Sequence, residues 1–414
     1  MNPMPQLSVE DALREILVRS EPLPPREVSV DEALGLVLAE DILAAEDLPP
    51  FSNSAMDGFA VVAADVAQAS RETPVRLRVL AEAPAGTVVR CKVASGAAVR
   101  IMTGAELPPG TEAVVPVEYT TPAPSGVEIH RPVRNGENLR FAGEDVHAGE
   151  RVLARGTSLR PAEIGLLAAI GRTRAAVFPA PRVAVLTTGT ELVEAGERPG
   201  PGQVRDANLH GLGAQLRALG ASVAAFPRVP DRLEAVVDAI QRAAASCDVL
   251  LTNGGVSAGA YDFVQNALDR LGAVQVFRQV AQKPGRPLAF WTFQGKPVFG
   301  LPGNPVAAMV CFEMYVRPAL RKMMGQPLLF RPEADAALAE PYRKGGRDRR
   351  VHFLRVQVRR EAGGWAATST GPQGSGILSS MTRANAIAVV PADAGDLAAG
   401  AAVRVCFTDL PEDH

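Results

Sequence analysis

The stretch RVAVLTTGTELV (182–193) settles the architecture of much of this chain. Val183, Ala184, Val185 and Leu186 form an unbroken apolar run, which reads as a strand buried on both faces. A polar turn built on Gly189 follows, and Leu209, Leu212, Leu216 and Leu219 then repeat at helical spacing. The rhythm continues downstream. Residues 221–226 read as a strand, Leu233, Val236, Val237 and Ile240 mark a helix, 248–251 read as a strand, and a helix covers about 260–271. Such alternation predicts a parallel sheet with helices on both faces. Ligands of these sheets lie beyond the C-terminal strand ends, where the polar turns 186–192 and 251–259 fall. KPGRP (283–287) precedes an apolar hairpin, 288–293 with 297–299, and Asn304-Pro305 opens a helix to about Met324.

The pattern changes outside this block. Ser8 is a helix N-cap, with Val9, Ala12, Leu13, Ile16 and Leu17 on one face. Ser29 to Glu32 form a capping box for a second helix, expected to run to about Glu40. Strand-like pieces at 75–80, 97–101 and 112–117, separated by Gly, Pro and Thr, predict a β-rich lobe. From about Pro327, alternating patterns at 351–358 and 386–390 predict a small separate β domain. The expected fold class is α/β plus β in several domains.

Composition narrows the function. A chain of 414 residues with 47% apolar and 21% charged residues is too long for one ordinary core and reads as soluble and globular. A net charge of −2 argues against a protein built to hold nucleic acid, though not against a local basic pocket. No apolar run approaches membrane-helix length, and the start shows no signal peptide, so a cytoplasmic location is expected. Cys91, Cys247, Cys311 and Cys406 are scattered without a CxxC pair, and the five His are dispersed. Neither a zinc site nor a disulfide frame is indicated.

Several loops could carry chemistry. LPPFSNSAMDGFA (48–60) sets Asp57 before Gly58 in a polar loop, which also reads as a plain Asp-Gly turn. LTTGTEL (186–192) and LTNGGVSAG (251–259) can expose several N–H groups to an anion. Glu191, Asp231 and Asp262, with Asp206 as a further candidate, stand beside them. Carboxylates next to a bound phosphate need a cation between, and Mg²⁺ is the usual one. Asp231 follows Pro230 and fits a helix cap equally well. Lys283 and Arg286 could face one anion from a fixed turn. GLPGNP (300–305) offers a helix N-terminus. In the lobe, 100–105, Glu118, 138–140 and 143–145 are weaker candidates.

Together these pieces resemble the molybdopterin molybdenumtransferase family, which includes the C-terminal domain of gephyrin. The resemblance rests on NSAMDGFAV (53–61), RIMTGAELPPG (100–110), GEDV (143–146), LTTGTELV (186–193), TNGGVSAG (252–259), KPGRP (283–287) and GLPGNPVA (300–307), in family order over nearly the whole chain. It implies a connecting part at 1–45 and 148–177, a β lobe at 46–147, an α/β domain at 178–326 and a terminal β domain at 327–414. It implies a homodimer whose cleft lies between the α/β domain of one subunit and the β lobe of the other. It further implies insertion of molybdate into adenylylated molybdopterin, with Mg²⁺ as cofactor and release of AMP, and contact with the adenylyltransferase that supplies the substrate. The catalytic residues carried over are Asp57, Thr103, Glu191, Asp231 and Asp262, of which Glu191, Asp231 and Asp262 would hold the metal. Thr188, Gly254, Gly255, Ser257, Lys283, Arg286, Pro302, Pro305, Arg350 and Ser379 would bind substrate or molybdate. Ala260, Gln279, Arg286 and Val117 depart from residues common in the family. The adenylyltransferase itself, a scaffold without turnover and a generic Mg²⁺-dependent phosphohydrolase are the competing readings. The first lacks the 48–60 lobe and the terminal β domain.

Overall fold

The protein is described by a computed structural model covering residues 6–225, 228–254 and 263–409. Its central sheet has the strand order Ser222–Ala225, Arg182–Thr187, Val249–Asn253, Lys296–Leu301, Ala289–Phe293, Val274–Phe277. The first four strands are parallel, Ala289–Phe293 runs antiparallel to both its neighbours, and Val274–Phe277 again has the direction of the first four. The sheet is therefore mixed: the alternation predicted its parallel strands, and the hairpin read at 288–293 with 297–299 is present as Ala289–Phe293 with Lys296–Leu301. The cause is local: Gln294 and Gly295 take φ values of 51° and 75°. That suits the tight type I′ turn that folds a strand back on its neighbour.

Alternate residues of the central strands feed two cores. Val183, Val185, Leu251 and Phe299 face the helices Ala207–Ala218 and 305–323 through Leu212, Leu216, Tyr315 and Leu320. Ala184, Leu186, Leu250 and Trp291 face Leu233–Ser246 and Phe263–Arg270 through Val236, Ile240, Val264 and Leu268. Each such buried aliphatic side chain stabilises the fold by roughly 1.5–3 kcal/mol. The helix opened by Pro305 runs to Met323 with one π turn at Phe312–Val316. Helix Val9–Val18, capped by Ser8, packs Ala12 and Ile16 into the first core. The grouping of 1–45 with 148–177 is thus divided: the helix sits on the α/β unit, whereas Arg26–Ser29 and Val37–Leu38 flank Arg174–Phe178.

The capping box at Ser29 forms, with Glu32 accepting from Ser29. The helix to Glu40 does not follow: Val30–Glu32 make one 3₁₀ turn. Gly35 at φ 79° ends it, and Val37 and Leu38 are drawn into the three-stranded sheet. The β lobe is a six-stranded sheet ordered Ala113–Pro116, Gly58–Val61, Ala97–Ile101, Val75–Ala83, Gly126–Ile129, Thr120–Ala123. Gly58 is required there, because a Cβ would lie 2.0 Å from the Val115 carbonyl oxygen.

The last domain closes on itself. Val351–Glu361 pairs with both Gly364–Ser369 and Ala386–Val390, and Glu333–Leu338 with Ala402–Phe407 completes the ring. Leu338, Val356, Val358, Ala367, Ala388 and Val405 fill this barrel. Two links dock it. Val306, Val310, Val351, Phe353 and Ile387 form an apolar seam. Gln282–Lys283 adds as a parallel strand to the barrel, Gln282 opposite Val351 and Lys283 opposite His352.

Candidate functional site

The loops leaving Thr187, Asn253 and Leu301 emerge on the same edge of the sheet, as their parallel register requires. The barrel is docked beside them, and a cleft of about 930 Å³ lies between. Glu191, Gly254, Lys283, Arg286, Pro302, Pro305 and Arg350 all line it. The remaining lining includes Arg205, Asp206, Asn208 and, from the barrel, Gln373, Gly374 and Ser375.

A hydrogen-bond frame holds these loops. Asp206 accepts from the Leu209 N–H at 3.0 Å and from Thr187 Oγ1 at 2.7 Å, tying the helix start to the strand end. Asn208 Nδ2 donates to Asn253 Oδ1 at 2.6 Å and to the Gly303 carbonyl at 2.7 Å. Asn253 Nδ2 donates to the Pro302 carbonyl at 2.7 Å. Three loops distant in sequence thereby become one surface. Thr188 is buried between them, and its hydroxyl has no partner among the described residues. Asn304 does not cap its helix with its side chain; it donates to Ser375 Oγ at 2.8 Å, reaching across to the barrel.

The basic turn is locked from beneath. Buried Gln282 donates to the Gly285 carbonyl at 3.2 Å and accepts from the Tyr315 hydroxyl. Lys283-Pro284 is a cis peptide. Gly285 sits at φ +92°, and a Cβ there would meet Cys311 Sγ at 2.5 Å and Gln282 Nε2 at 2.6 Å. Burial pushes the Cys311 thiol up to about 12, so it stays protonated and inert under the turn. Lys283 and Arg286 are consequently presented from a rigid base. Opposite them Arg350 is gripped by Asp348: its Nε and Nη2 donate to the two carboxylate oxygens at 2.8 and 2.6 Å. These bonds hold the Asp348 carboxyl well below the usual carboxylate range.

Residues 7–171 match the MoeA N-terminal region (domain I and II), 184–322 a family described as "Probable molybdopterin binding domain", and 335–407 the MoeA C-terminal region (domain IV). Molybdopterin molybdenumtransferase 2 of Mycobacterium tuberculosis is 38% identical over 96% of this chain and 98% of its own length. The chain belongs to the molybdopterin molybdenumtransferase (MoeA) family. A Staphylococcus epidermidis molybdopterin molybdenumtransferase is 33% identical over 97% of this chain and 96% of its own length. The crystal structure of a MoeA protein from Pyrococcus horikoshii aligns with a TM-score of 0.82 at 30% identity, covering 97% of this chain and 99% of that one. The multidomain fold class read from the sequence is that of this MoeA structure.

Other expected site residues of this MoeA-family chain fall elsewhere. Asp231 lies just outside the cleft lining and accepts from the Thr190 N–H at 3.0 Å, one residue from Glu191. Asp57 and Thr103 meet in the lobe: Asp57 Oδ1 accepts from Thr103 N and Oγ1, each at 2.7 Å, and these bonds lower the carboxyl from its ordinary value. Both are exposed, and no described residue of 46–147 lines the cleft. Ser379 opens the short helix Ser379–Thr382, where its carbonyl and hydroxyl accept from Arg383; the barrel residues at the cleft are Gln373 to Ser375 instead. Gly255, Ser257 and Asp262 lie outside the described residues. No three His, Cys, Asp or Glu side chains among the described residues are grouped to hold a metal ion. Among these residues, no helix is long and apolar enough to cross a membrane. Sequence reasoning missed Asp348, Gln373 to Ser375 and Asn208; the glycine-rich stretch GPQGSG (371–376) is the signal that could have marked Gln373 to Ser375.

Proposed function

We infer that this cleft inserts molybdate into adenylylated molybdopterin and releases AMP, yielding molybdenum cofactor. One observation carries the reading: Lys283 and Arg286 from the α/β unit and Arg350 from the barrel converge on one cleft at the C-terminal edge of the sheet. A dianionic oxyanion and a diphosphate both need such a place. Lys283 supplies a point charge, and the planar guanidinium groups supply paired donors to tetrahedral oxygens. The Thr188 hydroxyl, unpartnered beside this surface, is an additional donor.

Mg²⁺ fits the donor chemistry next to the basic wall. Glu191 and Asp231 offer only oxygen, and the Thr190 N–H bond ties Asp231 to the residue that precedes Glu191. Asp262 completes the proposed set. Bound there with phosphate oxygens and water, Mg²⁺ would neutralise the pyrophosphate and polarise the bond to be cleaved. The chain's own residues do the holding: the cations grip molybdate, and the strand-end loops fix the substrate against it.

Asp57 and Thr103 do not reach this cleft within the same chain, which supports a homodimer in which the lobe of a second copy closes it. Asp57, kept ionised by Thr103, would then orient water or metal. Supply of the labile adenylylated substrate by direct contact with the adenylyltransferase, and a cytoplasmic location, belong to the same reading. The test is incubation of purified protein with adenylylated molybdopterin and Mg²⁺, with and without molybdate. AMP release coupled to cofactor formation only with molybdate supports the transferase. AMP release without molybdate or cofactor would make it a hydrolase, and binding without turnover a scaffold.

A further inference from the structure

Arg350 reaches the cleft already engaged. Besides the two side-chain bonds, its backbone N–H donates to Asp348 Oδ1 at 3.1 Å. The same carboxylate lies 2.9 Å from Nε2 of His352, which is 1% exposed. Nδ1 of His352 lies 2.8 Å from the Tyr342 hydroxyl. One proton arrangement satisfies every atom. An ionised carboxylate only accepts, so Nε2 carries the hydrogen, and Nδ1 then accepts from the tyrosine O–H. Burial lowers the His352 pKa from its ordinary value, in keeping with a neutral ring. Tyr342, His352 and Asp348 thus form a directed chain from the barrel side to the guanidinium.

We propose that Asp348 is the positioning residue for Arg350, with His352 and Tyr342 as its anchor, so that the guanidinium offers the bound oxyanion its remaining edge in one fixed orientation. A fork-to-fork pair uses Nε and one Nη2 hydrogen and leaves Nη1 for the ligand. Part of the ordering cost of the long Arg side chain is met before the anion arrives. The proposal rests on the cleft being the oxyanion site.

The measurement is calorimetric titration of the purified full chain with molybdate, beside turnover kinetics. Arg350→Ala is expected to weaken molybdate binding at least about tenfold, and Asp348→Asn roughly as much, chiefly through KM for molybdate with kcat little changed. Tyr342→Phe, far milder for folding, is expected to weaken binding about threefold, because an unpaired Nδ1 releases the ring. The double variant Asp348→Asn/Arg350→Ala should bind no more weakly than Arg350→Ala alone, since both changes remove one interaction. Parent-like or tighter binding by Asp348→Asn, or additive losses in the double variant, overturns the proposal. Parent-like binding by Arg350→Ala would instead overturn the oxyanion reading of the cleft.

Discussion

Replacing Gly285 by Ala tests how the basic turn is held. The added Cβ meets Cys311 Sγ at 2.5 Å and Gln282 Nε2 at 2.6 Å, at a φ of +92°. The left-handed backbone costs an alanine about 1–2 kcal/mol, and forced overpacking typically adds about 1–3 kcal/mol. Relief by rotating Gln282 is no cheaper. Its partner, the Tyr315 hydroxyl, is fully buried and would be left unpaired, at about 1–3 kcal/mol. By either route the variant loses roughly 2–5 kcal/mol. Gly303→Ala is the matched control: it lines the same cleft, but its nearest neighbouring atom to a new Cβ is 4.0 Å away. It should stay within about 0.5 kcal/mol of the parent. The chain has two tryptophans, and Trp291 is buried in the α/β core. In a Trp365→Phe background, urea unfolding followed by Trp291 fluorescence therefore reports this unit alone. Molybdate titration of the folded variant reads the spacing of Lys283 and Arg286, which flank the change. A Gly285→Ala chain that unfolds with the control, and binds molybdate like it, would refute the reasoning.

Three more outcomes are expected. Asp57→Asn and Glu191→Gln should each abolish turnover while keeping the fold, and mixing the two after dissociation should restore about a quarter of parent activity, because half the dimers are mixed and each has one intact site. No recovery would remove the shared cleft. Arg355 is buried without a facing carboxylate among the described residues, and it donates to Ser380 Oγ and to the Gly374 carbonyl, each at 3.1 Å. In Arg355→Met the lost bonds and the relieved buried charge offset, so stability should move by under about 1 kcal/mol. Hydrogen exchange at 373–381, by contrast, should quicken, and unchanged protection there would contradict the role given to Arg355. Glu163 is held at about 2 chiefly by its bond to Arg160. Its folded value is depressed, so its contribution is complete above the ordinary value of 4.5 and disappears as pH falls through about 2. Melting curves of Glu163→Gln and the parent should lie apart at neutral pH and converge below pH 4.5.

The sequence discloses features that are local and hides those that are not. Val183 to Leu186 announce a buried strand because the four residues are apolar whichever face they meet, and the helices at 207–218 and 233–246 carry their own periodicity. The capping box at Ser29 is equally local, yet it overstates the helix: Gly35 and the pull of the Arg174–Phe178 strand, distant in sequence, decide the outcome. In the cleft, Lys283, Arg286, Pro302 and Glu191 stand in recognisable turns. Asp348 and Gln373 also sit in glycine-bearing turns, KGGRD (344–348) and GPQGSG (371–376), but far along the chain from these motifs. Their importance comes from which side chains the closed barrel delivers beside the cleft, and a tertiary closure leaves no mark in the spacing of either residue. Asp57 is the converse. Its loop is conspicuous in sequence, whereas Asp57 itself stands outside the cleft of its own chain, and the role proposed for it needs a second copy.

The seam between the barrel and the α/β unit has a mechanical consequence. Across it the Val351 N–H donates to the Ala281 carbonyl at 2.9 Å, and Lys283 lies in register with His352. Two-domain enzymes commonly swing shut on a ligand about a hinge. Here a hinge would have to shear backbone hydrogen bonds within two residues of the cations themselves. The wall that carries Lys283 and the wall that carries Arg350 therefore work as jaws of fixed gape. An oxyanion bound as proposed would have to span them already, and any movement that buries it would have to come from the open side.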